Sequence, residues 1–232
     1  MTRIAFVWGF CLLGLSFMTF NRVRNISLAS SGSRQIKKVS SLSGIDGGFY
    51  REFALSIDSS GLITGVYEYY DHWDEKAKEF LDINLLYFAG HIGQDSVAQI
   101  DGGWPDSDQH LKGRLKFFST AGKNEIEIKF DKEPNGYNDV SFRKGVIRAL
   151  EIPKKWIEVR IVKKDKAHLF NQPDSSTIRK GYLIRNNVVK VIAVSNEGWF
   201  QVEYNPVDNH NKASIFWMRS QDLYGVDPTK WQ

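Results

Sequence analysis

The chain has 232 residues, the length of two small domains, and its 42% hydrophobic and 25% charged residues are ordinary for a folded soluble protein. Its net charge of +4 arises before Asp46, where six basic and no acidic residues occur; 25 basic and 27 acidic residues remain in the rest of the chain. That balance argues against a nucleic-acid binder, which usually carries its positive charge on the docking domain. The single cysteine, Cys11, excludes a disulfide within the chain.

The first 29 residues are predicted to be a signal peptide or a membrane anchor. An apolar stretch covers residues 4–20, and the small residues Ser27 and Ala29 suit cleavage after Ala29. Arg22 and Arg24 support the alternative of a retained anchor, because positive charge after the stretch favours the cytoplasmic side. We therefore expect a periplasmic or secreted protein, or one anchored to the inner membrane by this segment.

A flexible linker is predicted at residues 30–45, where Ser, Gly and Lys dominate and no aromatic residue occurs. From residue 46 to 152, short segments of alternating apolar and polar residues predict β-strands, and a turn cluster at 58–61 predicts that the first two form a hairpin. Strands at this spacing predict an antiparallel β-barrel or sandwich, either filled by its own side chains or holding a small ligand. The predicted strands are 49–57, 62–70, 82–92, 96–100, 111–119 and 124–130, with a connecting loop at 71–78.

Residues 156–224 form a second β-rich region with more specific features. Strict alternation in WIEVRIV at 156–162 predicts a strand, and Gly198 permits a tight turn before Trp199. The segments KDKAHLF, KGYLIRNNVVKVI, NEGWFQVEY and FWMRSQDLY occur in this order, and together they resemble the bacterial SH3 (SH3b) family. The resemblance implies a small, partly open β-barrel, so the whole chain is expected to be all-β.

The SH3b resemblance also implies a binding module, because members of the family often belong to secreted bacterial proteins and some bind cell-wall peptides. It implies a ligand groove formed by Tyr182, Trp199, Tyr204 and Trp217. The family usually has glycine before its second tryptophan, whereas this chain has Phe216. The missing glycine crowds the backbone there, which argues against a family-type groove beside Trp217 but not against the fold. The alternative interpretation is that Trp199 and Trp217 are core residues, because a small barrel must bury its largest side chains.

The sequence offers no constellation of catalytic residues, and we predict no catalytic residue, metal or cofactor. No Gly-x-Ser-x-Gly nucleophile elbow occurs, and the five histidines lack the spacing of a zinc site. The best metal candidate is Asp106, Asp108 and His110, next to Asp101. Because the dense carboxylate pattern of a calcium loop is missing there, a solvated polar loop is the favoured interpretation.

These observations predict a non-enzymatic, exported binding protein whose SH3b-like region docks a peptide, peptidoglycan or a protein partner of the bacterial envelope. Nucleic acid is not an expected partner, and the membrane is one only through an uncleaved N-terminal segment. A first alternative is a periplasmic immunity protein that blocks a cell-wall-degrading toxin or enzyme with the loop 71–78 or 101–110. A second alternative is an unusual hydrolase. Residues 156–224 are expected to fold as an independent β-barrel.

Overall fold

A computed structural model describes residues 45–77, 79–93, 95–135, 140–195, 197–205 and 213–231. The predicted leader at 1–29 and nearly all of the linker at 30–45 lie outside these residues. The described part contains fifteen β-strands and three short 3₁₀ turns, so the predicted all-β class is confirmed. None of its helices is long or apolar enough to cross a membrane.

The first sheet is antiparallel, has nine strands and curls into a half-barrel. Its strands are β1 (Gly48–Tyr50), β2 (Phe53–Ile57), β3 (Leu62–Asp74), β4 (Glu79–Ile92), β5 (Val97–Gly103), β6 (Leu111–Thr120), β7 (Lys123–Phe130), β8 (Val146–Ala149) and β9 (Ile152–Pro153). Their order in the sheet is β8-β7-β6-β5-β4-β3-β2-β1-β9, so most strands pair with the strands that precede and follow them in the chain. Strands β8 and β9 had no counterpart in the sequence prediction, because they are short and lack an extended alternating pattern.

The predicted single strand at 49–57 is two strands, which corrects the sequence interpretation. Strands β1 and β2 are antiparallel neighbours, with Gly48 opposite Leu55 and Tyr50 opposite Phe53. The chain reverses at Arg51, whose φ of 60° lies in the left-handed region. That region is uncommon for residues other than glycine, and no glycine or proline in the segment signals a turn.

The predicted loop at 71–78 is also partly wrong, because β3 continues through Asp74 and remains paired with β4 as far as Glu79. Strand β2 pairs with β3 only at 63–67, and β5 pairs with β4 only at 87–92. The segments 69–74 and 79–84 therefore extend from the sheet as a two-stranded ribbon, here called the arm. Six residues at about 3.3 Å each give the arm a length of roughly 20 Å.

The second sheet has six antiparallel strands: β10 (Glu158–Ile161), β11 (Ala167–Phe170), β12 (Ile178–Leu183), β13 (Val188–Ser195), β14 (Trp199–Tyr204) and β15 (Ser214–Arg219). Their order in the sheet is β10-β13-β14-β15-β11-β12. A 3₁₀ turn at Ser220–Asp222 follows β15, and a bridge from Leu223 to Val162 follows that turn.

Each sheet has its own apolar core, and a third cluster, the shared core, lies between them. The shared core joins residues from β2, β3 and β4 to residues from β10, β13 and the segment before β10. At its centre the Val159 backbone N–H donates to Thr64 Oγ1 at 2.6 Å. Strand β2 is buried along its whole length because the first core covers one face and the shared core covers the other. The shared core contains Ala54, Val66, Tyr87, Ala89, Trp156, Val159, Ile161 and Val188.

Candidate binding cleft

A cleft of about 430 Å³ opens where the arm leaves the first sheet. Its apolar walls come from three places in the sequence: β1 and β2, the arm, and β9. The arm contributes the aromatic side chains, and β13 of the second sheet contributes one lysine, Lys190. The cleft therefore depends on both sheets, and its apolar lining consists of Phe49, Phe53, Ala54, Tyr69, Tyr70, Phe80 and Ile152.

Lys190 is a charged residue in a strand that is otherwise apolar as far as Val194, and it is only 2% exposed. A buried ammonium group is costly unless it is paired. Its Nζ lies 3.6 Å from Glu68 Oε2 and 5.8 Å from the centre of the Phe49 ring. These contacts partly offset the cost of burial and hold the carboxylate of Glu68 at the inner end of the cleft.

Tyr70 completes this inner end of the cleft. Its hydroxyl donates to Glu68 Oε1 at 3.3 Å, so Glu68 contacts a phenol and an ammonium group together. Burial, followed by the negative charge of Glu68, raises the pKa of Tyr70 well above its usual range. The phenol is therefore neutral and a hydrogen-bond donor at any physiological pH.

Three aromatic rings of the arm form one cluster: the Phe80 ring lies 4.9 Å from Trp73 and 5.4 Å from Tyr70. Tyr70 and Trp73 are three residues apart, and strict alternation along a strand places such residues on opposite faces. His72, between them, has a φ of 54°, a left-handed conformation that is costly for a residue with a Cβ. We attribute the joint position of Tyr70 and Trp73 to this local twist.

The rim of the cleft is charged but largely self-neutralised. Glu52 accepts a hydrogen bond from Arg148 Nε at 2.7 Å and lies 3.6 Å from Arg51 Nε. Glu151, in the link between β8 and β9, has an exposed side chain. Paired charges around aromatic walls suit a ligand that binds mainly by apolar burial, with a few polar contacts fixing its orientation.

The four residues predicted to line a groove do not form one cluster. Trp199 is 4% exposed, and its ring packs edge-on against Phe170 at 4.8 Å and under the guanidinium of Arg219 at 4.4 Å. Trp217 is half-buried and pairs with Phe170, on the same outer face of the second sheet. Tyr182 is exposed on the edge strand β12. The ligand-binding role of these residues stays a prediction.

Tyr204 differs from the other three, because its side chain packs against the core of the second sheet together with Phe200. Alternation along β14 places Trp199 on the opposite face. A single ligand on the outer face of this sheet therefore contacts Trp217 or Tyr182 but not Tyr204.

In the metal candidate at 101–110, Asp106 pairs with an arginine instead of grouping with other potential metal ligands. Asp106 Oδ1 lies 3.4 Å from Arg185 Nη1, and Arg185 also pairs with Asp165 at 3.0 Å. Among the residues that the structure describes, no three His, Cys, Asp or Glu side chains are grouped so that they could hold one metal ion.

Sequence reasoning missed the cleft, because its residues come from distant strands. One signal was available: Lys190 interrupts an apolar run that ends at Val194, and a buried charge calls for a partner. Comparison of the chain with models of protein families, with curated proteins and with solved structures gave no match.

Proposed function

We propose that this chain is a non-enzymatic binding protein of the bacterial envelope, and that it captures a peptide segment in the cleft at the base of the arm. The observation that carries the proposal is the cleft itself: an aromatic-walled depression with a buried Lys190–Glu68 pair at its inner end. The export of the protein rests on the predicted leader, and the choice of a peptide is supported by the SH3b resemblance.

The chemistry of the cleft favours an extended peptide over a highly charged ligand. Most of its charged groups already have partners of opposite sign, so a multiply charged ligand finds little surplus charge to pair with. Phe80 and Ile152 offer apolar surface. Aromatic anchors such as Phe80 dominate the energetics of peptide binding. The peptide comes either from the cell wall or from a protein, and the two sources are distinguishable by experiment.

The first test is cosedimentation of the full chain, in a non-ionic detergent, with purified peptidoglycan sacculi. We expect saturable binding that Phe80→Ala weakens at least about tenfold, because Phe80 lines the cleft and hot-spot aromatics contribute about 2 kcal/mol or more. Leu81→Ala is the matched control, since Leu81 follows Phe80 on the strand and so lies on the other face of the arm. Binding lost in Trp217→Ala and kept in Phe80→Ala would place docking on the second sheet.

A protein source is tested by placing a photo-crosslinking amino acid at position 80 or 81 of the chain in cells. Capture of the same protein from position 80, in the cleft lining, and not from 81 supports a protein partner at the cleft. If sacculi do not bind and neither position yields a specific adduct, the proposal fails. Release of soluble wall fragments by the chain alone would contradict its non-enzymatic character.

A second candidate is an immunity protein that blocks a cell-wall-degrading enzyme, and the arm favours it. The arm is narrow, extends roughly 20 Å and exposes Trp73 near its tip, where Asp74 accepts hydrogen bonds from the backbone N–H groups of Lys76 and Ala77. Such a wedge fits an enzyme cleft. A panel of purified muramidases and murein peptidases, assayed on sacculi with and without the chain, tests this. Inhibition that survives Trp73→Ala unchanged would exclude the arm as the blocking element.

A further inference from the structure

The edge strands of the two sheets are protected to very different degrees. Strand β10 is covered by the first sheet, to which Val159 N–H is hydrogen-bonded. Strand β9 has two residues, one of them Pro153, and β8 has four, with Arg148 reaching across to Glu52. Strand β12 has six residues, pairs only with β11 among the described strands, and exposes five residues in a row. An uncovered edge of this length presents backbone N–H and C=O groups to any strand that approaches.

The side chains of β12 add an apolar strip to this edge. Ile178 and Tyr182 lie on the same face of the strand, four residues apart, and are 53% and 48% exposed. Ile178 is opposite Phe170 in β11, and Phe170 is in turn opposite Trp217 in β15. A strand added beside β12 would place alternate side chains over this strip and bury it.

The charge of the edge is positive. Arg179 and Lys180 lie on β12, and the Lys166 ammonium is 5.2 Å from the centre of the Tyr182 ring. No acidic residue occurs in β12, and the preceding Asp174 is engaged by the backbone N–H of Ser176. The strand that complements this edge therefore carries acidic side chains.

The middle of β12 is irregular. Between the pairs Phe170–Ile178 and His168–Tyr182, three residues of β12 lie opposite the single residue Leu169 of β11. Gly181 belongs to this irregularity, and a glycine inside a strand often marks a bulge. Ile178 and Tyr182 still lie on one face, because their partners Phe170 and His168 are alternate residues of β11.

We propose that β12 is a docking edge for an extended, acidic segment of a partner protein, which adds a seventh strand to the second sheet. Apolar residues at alternate positions of that segment pack on Ile178 and Tyr182, and its acidic residues pair with Arg179 and Lys180. This surface shares no residue with the cleft, so the inference goes beyond the proposed function and stands or fails separately. Basic residues on an edge also protect a sheet from unspecific pairing, and the experiment separates the two roles.

The test uses the full chain in a non-ionic detergent and an eight-residue peptide that alternates Val and Glu. We expect the peptide to slow amide hydrogen exchange in 178–183. The same peptide with alternate backbone nitrogens methylated loses the hydrogen-bonding edge but keeps every side chain, and it is expected to bind at least about tenfold more weakly. A matched peptide with Lys in place of Glu is expected not to bind.

The double variant Arg179→Glu and Lys180→Glu is expected to lose at least about tenfold in affinity for the acidic peptide, because close interfacial charge pairs couple strongly. Lys123→Glu, an exposed change elsewhere in the chain, is the control and is expected to bind normally. Exchange in 178–183 that is unaffected by the peptide overturns the proposal. So does equal binding of the methylated peptide or of the lysine peptide, and in those cases the basic residues serve to protect the edge.

Discussion

The backbone pairing of β3 with β4 is continuous, but its inner and outer halves have different surroundings. In the inner half, Tyr67 and Phe88 are buried in the first core, and Val66 and Tyr87 are buried in the shared core. In the outer half, which forms the arm, Trp73 is 44% exposed. A continuous ladder of backbone hydrogen bonds therefore says little about where stability lies. The inner half stabilises the fold, and the outer half is available for contact with other molecules.

The largest expected effect compares two phenylalanines of β4. Phe88→Ala removes a fully buried ring and is expected to lower the free energy of unfolding by about 3–5 kcal/mol. Phe80→Ala, in the arm, is expected to cost below about 1 kcal/mol, because its ring is partly exposed. Urea denaturation of the two variants measures the difference. Equal losses would mean that the arm is as important for stability as the core.

The junction between the two halves is tested through the Lys190–Glu68 pair. Lys190→Met leaves Glu68 without its ammonium partner and is expected to cost about 2 kcal/mol, less than the 3–5 kcal/mol of a fully buried pair because Glu68 keeps some solvent and Tyr70. The double variant with Glu68→Gln is expected to recover part of the loss. A double-mutant cycle in urea measures the coupling, and additive losses would show that the pair is not coupled.

Alkaline pH is expected to act on both the inner half and the junction. Burial raises the pKa of Tyr87, and burial together with Glu68 raises that of Tyr70. Both side chains are neutral in the folded protein at a pH where they ionise in the unfolded chain. The contribution of these two tyrosines to the free energy of unfolding is therefore complete below about pH 10. Above that pH it declines by about 1.4 kcal/mol per pH unit for each tyrosine.

Unfolding free energies measured from about pH 9 to 11.5 check this expectation. Tyr70→Phe and Tyr87→Phe are each expected to reduce the steepness of the decline by the share of one tyrosine. Because the Tyr87 hydroxyl donates to the Val226 carbonyl at 3.1 Å, its variant also starts from a lower value at neutral pH. A decline of unchanged slope in both variants would assign the alkaline loss to other groups.

The smallest expected effect on stability belongs to Trp73→Ala, at about 0.5 kcal/mol or less. Thermal denaturation provides the measurement, and a large loss of stability in Trp73→Ala would mean that the aromatic cluster of the arm supports the fold. Binding at the cleft is expected to change in the opposite order along the ladder, because Phe80 of the arm lines the cleft and Phe88 does not.

Alternation of apolar and polar residues was enough to predict the all-β class and most of the strands, because one-sided burial imposes a period of two. It was not enough at Arg51, where the alternating pattern continues through a reversal of the chain. Nor did it predict that 71–74 continue β3, because the exposed arm has no buried face to impose a pattern. The polar segment 71–74 was interpreted as part of a loop, but it is an exposed part of strand β3.

The site was less predictable than the fold for a physical reason. Phe49 and Ile152 are opposite each other across the β1–β9 pairing, about a hundred residues apart in sequence, and Lys190 comes from the other sheet. No local sequence pattern predicts that these residues lie together. The residues that did draw attention, Trp199 and Trp217, are conspicuous by size, and the structure places the first of them in a buried aromatic contact.

The contact of Tyr87 with residues 226–231 has a consequence for the order of folding. Tyr87 reaches Val226 across 139 residues, and its ring lies 4.7 Å from that of Trp231. At about 5–20 residues per second, synthesis leaves this surface of the first sheet bare for on the order of ten seconds. We therefore expect the first sheet to form early, while its apolar surface around Tyr87 stays exposed until residues 226–231 have been synthesised. Until then we expect the growing chain to need a chaperone that covers this surface.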